Sequence, residues 1–118
     1  MEKEYETVVY SSRGQGVDII RELDYFKMST NKLHNPDKPA YREYYDLIYK
    51  KQLKRIEYHI YGKKHRENGP AVIEWSINGE VIKEEYWLNG KRLNELQIAV
   101  LKGDDSKNEW YINRYFKY

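Results

Sequence analysis

Two half-motifs recur in the same order along the chain, and that repetition limits the fold more than any other feature does. LHNPDKPAYREYY around His34 aligns with KHRENGPAVIEWS around His65. The alignment sets Pro39 on Pro70, Ala40 on Ala71, Glu43 on Glu74 and Tyr44 on Trp75, at a spacing of 31. RIEYHIYGKKH at 55–65 aligns with KEEYWLNGKRL at 83–93, which sets Glu57, Tyr58, Gly62 and Lys63 on Glu85, Tyr86, Gly90 and Lys91 at a spacing of 28. The first copy therefore carries three extra residues, near Asp46–Tyr49. Units this short cannot bury a hydrophobic face alone; they stack, and the outermost ones degenerate into caps. Weaker copies flank the pair. RELDYFKMSTNKLH leads into His34 as RIEYHIYGKKH leads into His65, and NEWYINR at 108–114 echoes EYWLNG with Arg114 in the glycine position. The expected organisation is one domain over 1–118: a degenerate unit 1–33, repeats 34–64 and 65–93, and a helix with a degenerate cap over 94–118.

Within a unit the pattern reads strand, turn, strand, turn. AVIEW is a short β-rich run, and Asn78-Gly79 behind it is a strong hairpin signal, because a type I′ turn needs two positive φ values. VIKEEYWL returns, with Tyr86 and Leu88 on one face and Glu85 and Trp87 on the other. Asn89-Gly90 then makes a second turn. Residues 40–58 also fit an amphipathic helix, with Tyr41, Tyr45, Ile48, Gln52 and Ile56 roughly aligned; the match to the next repeat favours strands. A helix is expected over 95–102, capped by Asn94 with Gln97 three residues later and ended by Gly103. Leu96, Ala99 and Val100 would face the end of the sheet. The expected fold is mainly β: tandem β-hairpin repeats in an elongated, twisted antiparallel sheet, with this one short helix.

Composition explains how such a fold can be held together. Thirteen Tyr and three Trp supply much of the apolar surface, while a third of the chain is charged and mean hydropathy is −1.00. Each ring hides a large area but needs a partner for its OH or NH, which favours a thin sheet with half-buried rings over a thick core. The absence of Cys excludes a disulfide framework and thiolate metal sites. MEKEYETVV has none of the basic and apolar regions of a signal peptide, and no apolar run approaches the roughly 18–20 residues of a membrane span. A cytoplasmic protein without membrane contact is the expectation.

The chemistry-bearing candidates point away from catalysis, and neither an enzymatic activity nor a cofactor is expected. No Ser sits in a nucleophile elbow. Glu84 and Glu85 alternate across a strand and cannot share a proton, and Asp104 and Asp105 lie in the polar stretch KGDDSKNE. Arg13-Gly14-Gln15-Gly16 lacks the Lys-Ser/Thr ending of a phosphate loop and reads as a hairpin turn. His34 and His65 follow a turn and precede Pro-Ala, so each imidazole is expected to bond a turn backbone and lock a corner. His59, opposite in face to Tyr58, reads as a surface or half-buried residue. Pro39, Ala40, Gly62, Pro70, Ala71, Gly79 and Gly90 read as structural repeat positions.

Charge is segregated along the chain. Residues 42–66 hold Arg42, Lys50, Lys51, Lys54, Arg55, Lys63, Lys64 and Arg66 against three acidic residues, while 67–85 holds five Glu against Lys83. Five Tyr interleave the basic part. The eight basic residues are the candidate partner-binding set. A charge-steered protein interface is the leading reading; a nucleic-acid surface over 42–66, tracking phosphates and stacking bases, is the alternative. Lys and Arg on turns and edges also simply discourage aggregation. WYINRYFKY, with five aromatics in nine residues, reads as the cap of the last hairpin, and a homodimer through that edge is a second possibility.

YHIYGKKHRENGPAVIEW and EYWLNGKRL resemble the short repeats of the form EYWxNGKxHRxxGPA found in proteins of phages, large DNA viruses and some bacteria, and are similar in turn to MORN repeats. The resemblance is good across 33–93; Leu93 stands in place of the third repeat His, and NPDKPA follows His34 in place of RxxGPA. It implies hairpins in an elongated sheet, a non-enzymatic binding role toward an unidentified host protein, and a viral or phage origin. On that reading the chain would block a host defence protein by steric and electrostatic occlusion. An immunity or antitoxin partner is a further alternative, implied by bacterial variants alone.

Overall fold

The computed structural model describes residues 3–13, 16–29 and 31–102. Six antiparallel strands form one open sheet in the order β1 (Tyr5–Arg13), β2 (Asp18–Phe26), β3 (Tyr41–Leu47), β4 (Lys50–Glu57), β7 (Val72–Trp75) and β8 (Val81–Glu85). Two small hairpins, β5 (His59–Ile60) with β6 (Lys63–Lys64) and β9 (Trp87–Leu88) with β10 (Lys91–Arg92), and the helix α1 (Glu95–Lys102) complete it. Residues 41–57 are thus a hairpin. Its strands pair with β2 on one side and β7 on the other, contacts that a lone amphipathic helix could not offer to Tyr and Ile alternating in face.

The repeat is written in the backbone hydrogen bonds of three corners where the chain leaves one hairpin for the next. The amides of His34, His65 and Leu93 donate to the carbonyls of Asp24, Tyr58 and Tyr86, all within 2.8–3.0 Å. The amides of Asp24 and Tyr58 donate in turn to Ala40 and Ala71, both at 2.8 Å. These bonds make Asp24, Tyr58 and Tyr86 equivalent, and with them Tyr25, His59 and Trp87. Ala40 and Ala71 have no exposed surface, so the chain turns into the sheet around an enclosed methyl group, where a longer side chain would collide with its neighbours.

Successive corners are joined by the histidines. The Nδ1 of His34 accepts from the Tyr61 amide at 2.9 Å, and the Nδ1 of His65 accepts from the Asn89 amide at 2.8 Å. Tyr61 and Asn89 are the first central residues of their turns, with φ of 46° and 49°, followed by Gly62 and Gly90 at 87° and 82°. Two positive φ values in sequence define type I′ turns. His34 is fully buried; its ring stacks on Tyr61 at 4.2 Å and meets the edge of Phe26 at 5.1 Å. With Nδ1 accepting, the proton sits on Nε2, which donates to Glu4 at 2.8 Å.

Two expectations require correction. Asn78-Gly79 is not a type I′ turn: only Gly79 has a positive φ, and Ser76 pairs with Glu80 across a three-residue loop. That is a type I turn closed by a left-handed glycine. The second correction concerns α1. Asn94 and Gln97 do form the reciprocal capping box, at 2.8 and 2.9 Å. The helix face turned to Tyr86, Leu88 and Leu93, however, is Ile98, Val100 and Leu101, while Leu96 and Ala99 are exposed. Leu96 lies in the first turn, before the helix meets the sheet end. Gly103, Asp104, Asp105 and WYINRYFKY lie outside the described residues.

Among the described residues, buried apolar ones are few: Ala40, Ile56, Ala71 and Val72 along the sheet, and Tyr86, Leu88 and Leu93 under the helix. The molecule measures 50 × 36 × 22 Å, with a radius of gyration of 16.3 Å where a compact chain of this length has about 13 Å. Most of the sheet is a single layer.

Candidate functional site

A single layer has to be held by polar and aromatic contacts on its faces, and these consume several of the basic residues singled out by the sequence. Across one face runs a row of alternating charge, set by register: Arg21 opposite Glu43, Glu43 opposite Arg55, Arg55 opposite Glu74, and Glu74 opposite Lys83. Arg21 binds Glu43 at 3.1 Å, Arg55 binds Glu74, and Lys83 approaches Glu74 at 3.9 Å. The acidic segment 67–85 thus folds against the basic one. Charges that are segregated in sequence become interleaved in the sheet.

The second polar assembly centres on Asp24, which is 1% exposed. Its carboxylate accepts two bonds from Arg42, at 2.9 and 3.0 Å, one from Thr7 at 2.6 Å and one from Asn35 at 2.9 Å. Burial opposes its ionisation, but the bonds from Arg42, Thr7 and Asn35 outweigh it and hold the carboxyl below its ordinary value. Arg42 also reaches Glu22 and the Pro39 carbonyl, and Asp24 in turn raises its pKa. Its guanidinium is a structural cation at the first corner. Sequence reasoning missed this cluster because Thr7, Asp24, Asn35 and Arg42 lie on four separate segments.

His59, expected to be a surface or half-buried residue, is buried and carries a structural bond. It is 8% exposed and occupies the position of Trp87 in the next unit. His59 Nε2 donates to Glu57 at 2.8 Å as Trp87 Nε1 donates to Glu85 at 2.9 Å. The pairing of Glu57 with Glu85 in the repeat alignment contained this signal. Burial raises the Glu57 pKa, yet His59 and Arg55 outweigh that and hold it at about 2. The His59 Nδ1 has no hydrogen-bond partner; it sits where the indole of Trp87 has carbon.

The remaining candidate residues fall into two groups at opposite ends of β4, about 23 Å apart at the rise of a strand. At the corner end, Lys64 lies 4.6 Å from the Trp87 ring, and Arg66 lies 4.1 Å from the Tyr58 ring while donating to the Pro70 carbonyl at 3.0 Å. Lys63 is exposed beside Gly90. A hollow of about 560 Å3 opens here, lined by Asn35, Asp37, Tyr58, Ile60, His65 and Arg66 among others. At the tip end, Lys50 and Lys51 follow the β3–β4 turn and Lys51 lies 4.7 Å from the Tyr44 ring; Lys54, in the middle of β4, binds Glu43 of the charge row at 3.4 Å.

That turn is the candidate interaction surface. Ile48 and Tyr49 are its two central residues, exposed by 92% and 95%. Neither has a positive φ, so this hairpin lacks the glycine turn of the other units and presents apolar side chains in its place. These residues belong to the insertion that distinguishes the first repeat from the second. Turn chemistry favours Asn, Asp and Gly, so Ile-Tyr there is a departure without a folding rationale. At the same end of the sheet, Ile77, Val81 and Ile82 of the β7–β8 hairpin are 42%, 54% and 62% exposed.

No group of three His, Asp or Glu among the described residues converges to hold a metal. No helix of the described residues is long and apolar enough to cross a membrane. No family model, curated protein or solved structure matches the chain.

Proposed function

We propose that the chain is a protein-binding module of the MORN-like hairpin-repeat type, which docks through the tip end of its sheet. The observation that supports this is the exposed Ile48–Tyr49 pair with Lys50 and Lys51 beside it. An exposed aromatic of the Tyr49 kind is among the residues enriched at interface centres, and the charges around it, Lys50 and Lys51 with Asp46 opposite Lys51, would form a mixed rim that orients a partner of complementary pattern. Ile77, Val81 and Ile82 extend the apolar area across the neighbouring hairpin. The action would be occlusion: a rigid sheet end covers the partner's surface and involves no chemical step. The resemblance to repeats of phages and large viruses makes a host defence protein the partner class.

A pull-down from host lysate with tagged protein tests this, run beside an Ile48→Ser/Tyr49→Ser variant and a Lys50→Glu/Lys51→Glu variant. One stoichiometric protein retained by the wild type and lost with both variants, at unchanged circular dichroism, is the expected result. Recovery of mixed nucleic acid released by salt would replace this reading with the nucleic-acid one.

A further inference from the structure

The two edges of the sheet are built differently, and the difference concerns self-association. An unprotected edge strand is a template for another chain, and proteins blunt edges with short strands, bulges and charges. β8 has all three defences: five residues, a register break opposite Glu74 and Trp75, and Lys83, Glu84 and Glu85. β1 has neither a short strand nor a bulge, and its charges, Glu6 and Arg13, leave the stretch from Thr7 to Ser12 uncharged. It runs for nine residues, pairs with β2 without a break from Tyr5 to Arg13, and contains no Pro or Lys. No described strand covers its outer side. Val8, Val9 and Tyr10 at its centre are 36%, 60% and 51% exposed.

We propose that β1 pairs antiparallel with β1 of a second copy about a two-fold axis at Val9, giving a continuous sheet across the dimer. The Glu4 carbonyl accepts from the Lys27 amide. Alternation then turns the amides and carbonyls of Glu6, Val8, Tyr10 and Ser12 toward β2, and those of Tyr5, Thr7, Val9, Ser11 and Arg13 outward. A two-fold axis perpendicular to the sheet requires partners of like parity. With Val9 opposite Val9, Thr7 meets Ser11 and Tyr5 meets Arg13, so outward-facing residues meet only outward-facing residues. Every free amide and carbonyl from Tyr5 to Arg13 is satisfied in this one register.

The side chains agree with it. The two Val9 residues meet on one face, and Val8 meets Tyr10 of the copy, twice, on the other; β-branched and aromatic cross-strand pairs are among the favourable ones. A hollow of about 520 Å3 lies beside β1 on that second face, lined by Glu6, Val8, Tyr10, Tyr25 and Phe26 among others, and the Tyr10 ring of the copy would lean over it. Arg13 of each copy comes opposite Tyr5 of the other, on the face that also carries Lys3, whose ammonium lies 5.6 Å from the Tyr5 ring, while Glu6 meets Ser12 on the second face. Between Tyr5 and Arg13 no two like charges stand directly opposite one another.

Light scattering after size exclusion, with loading from about 1 to about 100 µM, reads the assembly. The wild type is expected to dimerise. Val9→Lys opposes two lysines at the axis, and Val9→Pro removes an amide that points away from β2; either should weaken the dimer at least about tenfold with unchanged circular dichroism. Ile82→Lys on the other edge should leave it intact. Because the chain has no Cys, Val9→Cys should form a disulfide dimer under mild oxidation, and Ser12→Cys, distant from its own copy, should not. A wild type that stays monomeric throughout, or a dimer that Val9→Lys and Val9→Pro leave unchanged, would overturn the proposal.

Discussion

Arg42→Met separates a structural cation from a binding one. Arg42 supplies two of the four hydrogen bonds on Asp24, and its removal leaves a 1% exposed carboxylate with only Thr7 and Asn35. Breaking a buried pair from one side costs about 3–5 kcal/mol; the 19% exposure of Arg42 places this one at the lower end, about 3 kcal/mol. For a chain of 118 residues with an unfolding entropy of about 2.1 cal/mol/K per residue, that lowers Tm by about 12 °C. Thermal and urea unfolding followed by circular dichroism measure it. Asp24→Leu/Arg42→Met should recover part of the loss, because no fully buried charge remains unpaired; Glu22, which also loses Arg42, is 24% exposed and keeps its bond from Tyr44. An Arg42→Met variant within about 1 kcal/mol of wild type, or a double variant worse than the single, would refute the argument.

Three further outcomes follow from the corners. His34→Ala removes a buried ring, a turn acceptor and a stack on Tyr61, and should lower stability by about 3 kcal/mol; His65→Ala, in a more open corner, should cost about 1 kcal/mol, both read by urea titration. His59→Trp places in one unit the residue that the next already uses, keeps the bond to Glu57 and eliminates the unpartnered Nδ1, so stability should hold or rise, whereas His59→Ala should lose about 2 kcal/mol. Glu57, held at about 2 against an ordinary 4.5, contributes stability that is full above pH 4.5 and lost as pH falls toward 2. The shift corresponds to about 2 kcal/mol after discounting the solvent contact of Arg55 and Glu57. Glu57→Gln should therefore be less stable than wild type at neutral pH, and the gap should close between pH 4.5 and 2; a constant gap would contradict the assignment.

The repeat, the strands over 41–57 and the helix with its capping box were legible because each rests on local signals: glycine spacing, alternation, and Asn94 with Gln97. The face of α1 was not, since Ile98 and Leu101 are chosen by the sheet end they meet and not by the helix pattern alone. Asn78-Gly79 misled because the same dipeptide serves both a two-residue and a three-residue loop, and the register of β7 on β8 decides between them. The charge segregation was real in sequence, but Arg55 faces Glu74 only once β4 lies beside β7. The exposed pair at Ile48–Tyr49 could have been found. It fills a turn position with residues that turns avoid, within the insertion that distinguishes repeat 34–64 from repeat 65–93.

Photo-crosslinking from the tip tests the central claim most directly. A benzophenone amino acid at position 49, in the otherwise native chain, should on irradiation in host lysate yield one discrete crosslinked protein, and the same group at position 28, on the opposite end of the sheet, should yield none. Equal labelling from both positions, or a tip that crosslinks only to nucleic acid, would contradict docking of a protein partner on this end of the sheet.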